Sequence, residues 1–169
     1  MFSGQTARPA HTDSAMATTM WDSTTRRSTL ARFAQLRPDA QPLWGRFSAH
    51  AMVAHLIDSS RMALGTMPVR RARGSVARVI RLPGVRHFFV YVLPFPRNAP
   101  TARELLTGAP GDWDADIATF TQTVEDLAER AEDPRVQWPE HPLFGPLTRR
   151  DWGVLGYRHT DHHLRQFGA

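Results

Sequence analysis

Apolar residues recur at helical spacing in four stretches of the chain, separated by polar and proline-rich segments. Asp22 or Ser23 can cap a first helix running to about Arg37, with Leu30, Phe33, Ala34 and Leu36 on one face. The residue before Pro38 avoids the helical region and ends it. Ser48 suits the N-cap of a second helix that Gly65 stops after Leu64. Asp112 opens a third helix, to about Ala131. Acids crowd its first turn, as the helix dipole favours, and Ile117, Phe120, Val124 and Leu127 form its stripe. A fourth begins at Leu147 or Thr148 and runs through Phe167.

The stretch from 66 to 111 breaks this rhythm with six prolines and four glycines. Short helices are expected near 75–82 and 85–93, although HFFVYVL has the composition of a strand as well. Four long helices with two short connections and one long one predict an all-α fold. The expected architecture is a four-helix bundle with a long crossover between helices 2 and 3. Residues 1–20 are polar, small and aperiodic, with no apolar signal-peptide core. They are expected to form a disordered N-terminal extension ahead of a single domain at 21–169. A true start at Met16 or Met20 is the alternative.

Composition narrows the chemistry. Among 169 residues there is no cysteine, which excludes disulfides, thiolate metal ligands and a cysteine nucleophile. All 21 basic residues are arginine, so lysine chemistry is excluded too. No window is apolar enough to span a membrane, and a cytoplasmic protein is expected. Nine arginines and no acid lie between Ser59 and Arg103, whereas the remainder is net acidic. The basic middle and the acidic remainder can pair within one fold. The alternative is an arginine-rich nucleic-acid or anionic-surface binder, whose affinity would fall steeply with salt.

Three histidines crowd YRHTDHHLRQFG at 157–168. His159 and His163 are four apart, so on a helix they differ by about 40° around the axis and share one face. Trp152, Leu155, Gly156, Gln166 and Phe167 extend that face, which is the apolar stripe; both imidazoles should point inward. His162 falls on the shoulder. Tyr157, Arg158, Asp161 and Arg165 are expected to face water. In the second helix His50 and His55 point about 140° apart, and mid-helix His55 is the better third partner. Asp58, one turn on, could orient His55 or act as a weaker ligand, and Gln166 is placed to hydrogen-bond His163.

Three imidazoles would suit a divalent ion such as Zn, Ni or Fe and leave a coordination position open for water, a thiolate or a carbonyl. Histidines satisfied by core hydrogen bonds alone are the other reading. HExxH is absent, because Thr160 stands where its glutamate would be.

WGRFSAHAMVAHL, with HPLFGPLTRRDWGVLGYRHTDHHLRQFG, resembles the DinB/YfiT-like metalloenzyme superfamily. The likeness spans about Trp44 to Phe167 and is weakest through 66–111. It implies a helical bundle and a divalent metal held by one histidine of the second helix and an HxxxH pair of the last, here His55, His159 and His163. Characterised members include transferases and an isomerase that use low-molecular-weight thiols such as mycothiol or bacillithiol. The resemblance therefore implies a metal-dependent thiol S-transferase or a hydrolase acting on a small-molecule substrate, with the thiol brought by a cosubstrate. A non-catalytic metal-binding or interaction protein, and a homodimer, remain compatible with it.

Overall fold

Six α-helices and one 3-10 turn account for the regular structure among the described residues, which are 17–97, 101–106 and 108–169 of this computed structural model. In chain order they are α1 (Ser23–Phe33), α2 (Ala49–Leu64), α3 (Ser75–Ile80), α4 (Pro83–Tyr91), the turn Arg103–Leu106, α5 (Trp113–Glu132) and α6 (Arg149–Gln166). The expected all-α class holds, and HFFVYVL is helical from His87 to Tyr91. Leu82 caps α4 and Pro83 supplies its first position, where a missing N–H costs nothing. The residues of the expected N-terminal extension up to 16, His11 among them, lie outside the described residues.

The caps read from the sequence form. Asp22, Ser48, Asp112 and Thr148 each accept a hydrogen bond from a backbone N–H three residues on. Thr148 and Asp151 close a reciprocal capping box at the start of α6. Gly65 ends α2 at φ 79°, a left-handed conformation that favours glycine. The first helix is shorter than expected. After Phe33 the chain tightens, with Gln35 and Leu36 donating three residues back to Arg32 and Phe33. The constraint before Pro38 thus reaches back a turn, and Leu36 is buried by that turn rather than by a helix.

Helix α2 packs along α5, while α6 lies against α1, α2 and α4; the 3-10 turn sits on α2. One core cluster joins Phe33, Met52, Leu56, Phe120, Val124 and Leu164, where the Phe33 and Phe120 rings meet at 4.2 Å. A second joins Ile80, Val90, Leu127, Phe144, Trp152 and Leu155, and so fastens α3 and α4 to the rest. A cavity of about 1380 Å³ borders both clusters.

Two expectations of exposure on α6 are overturned. Asp161 is buried, because α1 covers that side of α6. Its two oxygens accept from Arg32 and Arg165, each at 2.8 Å. Arg158 is half-buried and donates to the carbonyls of Val90 and Leu93, which closes the C-terminal end of α4 onto α6. Several arginines of the basic stretch are likewise taken up by contacts within the chain. Arg81 donates to the carbonyls of Ala72 and Pro142, Arg86 to that of Pro146, and Arg70 pairs with Glu104 at 3.1 Å. No helix among the described residues is long and apolar enough to cross a membrane.

Candidate metal centre

His55 on α2 and His159 and His163 on α6 converge. The Nε2 of His159 lies 3.1 Å from that of His55 and 3.2 Å from that of His163. One ligand atom from each residue falls within 4.8 Å of the others. Three nitrogens bound at about 2.1 Å to a shared tetrahedral ion sit about 3.4 Å apart, so the spacing is close to that of a filled coordination set.

The outer nitrogens decide where the hydrogens are. His55 Nδ1 lies 3.0 Å from the carbonyl oxygen of Leu105 in the 3-10 turn. His163 Nδ1 lies 2.8 Å from Gln166 Oε1, and the Gln166 amide is oriented by donating to the Trp44 carbonyl at 2.8 Å. Carbonyl oxygens only accept, so both Nδ1 atoms carry hydrogen and both Nε2 atoms are bare. Each bare nitrogen faces His159 Nε2, which has at most one proton to share between them. A cation among the three nitrogens resolves that conflict, and a set of neutral imidazoles is what zinc, nickel or iron accepts. The residues present fit a divalent metal ion.

The trio is electrostatically set for this. In the metal-free protein burial pushes His163 down to about 3, aided by the neighbouring His55. Burial likewise lowers His55, opposed by the Leu105 hydrogen bond, and holds His159 well below the usual imidazole value. All three are therefore neutral near pH 7. Phe47 stacks on His55 at 5.4 Å, and Phe95 stacks on His159 at 5.8 Å. His159 keeps accessible surface because it faces the cavity.

Gln166 occupies the place expected of it, but Asp58 does not. Asp58 has no bond to His55, whose Nδ1 is taken by Leu105; one oxygen faces Arg61 at 3.5 Å, and the other is buried without a partner among the described residues. Gly108 approaches that oxygen so closely that a Cβ there would lie 2.6 Å away. His50 packs on Trp113 at 4.9 Å, away from the trio, as its angle required. His162 lies between Trp44 and Phe95, half-buried on the cavity wall. Sequence reasoning missed Phe47, Phe95 and the Leu105 and Trp44 carbonyls.

No curated protein and no solved structure gives a significant match to the chain. One family does match, over almost the whole described length and including all three histidines: its model, that of the DinB superfamily, aligns with residues 19–167, and the chain belongs to that superfamily.

Proposed function

We propose that this protein is a metal-dependent enzyme in which His55, His159 and His163 hold a divalent ion, zinc, nickel or iron, for chemistry on a small electrophile. The nucleophile is a low-molecular-weight thiol or water, as in a thiol S-transferase or a hydrolase. One observation carries the reading: two hydrogen-free Nε2 atoms, fixed by Leu105 and Gln166, aim at a third ring nitrogen that can serve only one of them. When bound, such a metal lowers the pKa of a thiol or water in its open position.

The chain's own residues supply the rest. Leu105 and Gln166 hold two rings in orientation. Phe47 and Phe95 shield two of the rings from water, and the cavity beside His159 offers the room for thiol and electrophile. The reading takes 21–169 as one domain, a four-helix bundle of α1, α2, α5 and α6 in which 66–111 forms the crossover. It places the protein in the cytoplasm, where small thiols stay reduced.

Metal analysis of purified wild-type, His55→Ala and His163→Ala proteins tests the site. Stoichiometric metal in the wild type and its loss in both variants is the expected result; variants that retain as much metal as wild type refute the assignment. Thiol-dependent turnover across a panel of electrophiles, with metal-stripped protein as control, then tests the activity.

A further inference from the structure

The same cavity holds one more histidine whose hydrogen is fixed by the backbone. Residues 141–145, HPLFG, form a loop closed by paired bonds: His141 N–H to the Gly145 carbonyl at 2.9 Å, and Gly145 N–H to the His141 carbonyl at 2.8 Å. Gly145 closes it at φ 73°, which a side chain would resist. The imidazole folds back into this loop, where its Nδ1 accepts from the N–H groups of Leu143 at 3.1 Å and Phe144 at 3.2 Å. Backbone N–H groups only donate, so Nδ1 is bare and the neutral ring carries its hydrogen on Nε2. Phe144 at 4.8 Å and Trp152 at 5.5 Å hold the ring plane.

That N–H has no acceptor among the described residues. The ring lies deep enough that burial pushes its pKa down to about 3, and it still keeps accessible surface. His141 is one of the residues that line the cavity. The charged side chains on that wall, among the described residues, are Arg46 and Arg70; no carboxylate lines it. Arg70 pairs with Glu104, and Arg46 is exposed at the rim. Arginines are the only charged side chains of this largely apolar wall, which favours an anion over a cation, and an N–H without an acceptor favours an oxygen at His141.

We propose that His141 anchors the ligand of this cavity, its Nε2–H donating to a carboxylate oxygen of a small, otherwise apolar molecule. The anchor sits against Trp152, and His159 lies seven residues further along α6, about 10 Å by helical rise. The ligand is therefore a carboxylate with an apolar body of that order of length, its far end reaching the histidine trio. Only the identity of what waits at that far end rests on the metal-enzyme reading; the anchor does not.

Two probes of one body separate the possibilities: 4-phenylbutyrate, and 4-phenylbutylamine, whose ammonium cannot accept a hydrogen bond. Calorimetry on the metal-loaded wild type should show the carboxylate binding at least tenfold more tightly than the amine. His141→Asn keeps an oxygen to accept from Leu143 and Phe144 but sets its amide N–H groups back at the place of the ring Cδ2, short of where Nε2–H points, and there the preference should collapse. The preference should persist in metal-stripped wild type. Nitrogen-15 spectra of wild type should also show the His141 Nε2–H signal moving as 4-phenylbutyrate is added, a readout that needs no variant to fold. Four results overturn the proposal: no binding of 4-phenylbutyrate, equal affinities for the two probes, an unmoved Nε2–H signal at saturation, or a preference that survives in His141→Asn. A preference that survives there but vanishes on stripping the metal would place the carboxylate on the ion and leave the metal centre standing without the anchor.

Discussion

The acid limb of stability is the most direct consequence of burying neutral imidazoles. A histidine whose folded pKa lies below its unfolded value binds more protons in the unfolded chain, so stability is present at high pH and is lost as pH falls below about 6.5. His163, 6% exposed and held at about 3, is the best-defined case. Between pH 7 and pH 5 the unfolded ring takes up its proton while the folded one does not. At 1.36 kcal/mol per pKa unit that costs about 2 kcal/mol of stability. His141, also held at about 3, contributes in the same direction, as do His55 and His159. For a chain of this length about 2 kcal/mol corresponds to roughly 4–8 °C in Tm for each such ring.

The assay is urea unfolding of metal-stripped protein followed by tryptophan fluorescence at several values between pH 7.5 and pH 4.5. Stability should begin to fall near pH 6.5, well above the carboxylate range, with a slope of more than one proton. His163→Leu should show a slope smaller by up to one proton. A wild-type profile that stays flat to pH 5 would refute the reasoning, because it would mean that the folded protein protonates these rings as readily as the unfolded chain does.

Gln166→Met removes the acceptor for His163 Nδ1 at similar volume, so the ring is free to present the wrong nitrogen. Metal affinity measured by calorimetry should fall about 10–100-fold while the fold survives. Gly153→Ala tests how the segment before α1 crosses α6. A Cβ at 153 would lie 2.5 Å from Trp21 Cδ1, and closer still to Trp21 Nε1 and Thr19 Oγ1, so thermal denaturation should show a loss of about 1–3 kcal/mol. An unchanged Tm would mean that residues 19–21 do not hold this crossing in solution.

What the sequence disclosed, and what it hid, divides along a physical line. Caps, stops and apolar stripes are local, and Ser48, Gly65, Asp112 and Thr148 mark real helix ends because their chemistry acts within four residues. The convergence of His55 with His159 and His163 was legible for the same reason, since angular position on a helix follows from spacing. Asp161 was misread as exposed because its cover comes from Arg32, 129 residues earlier, and no local pattern encodes that α1 lies there. The expectation for Asp58 failed differently. A carboxylate one turn from His55 is a visible partner, whereas the Leu105 carbonyl that takes its place belongs to the backbone, and backbone atoms leave no mark on residue type.

That last failure bears on how the centre works. Of the four groups that set ring orientation at His55, His163 and His141, only Gln166 is a side chain; the others are a carbonyl of the 3-10 turn and two N–H groups of the HPLFG loop. Backbone groups cannot be exchanged by point substitution, only displaced, and displacing them means moving the loop that carries them. The proline-rich segments that looked least structured in the sequence thus determine which nitrogen His55 and His141 present. A substitution that shifts the turn at 103–106 should therefore weaken metal uptake through His55 without touching any of the three histidines.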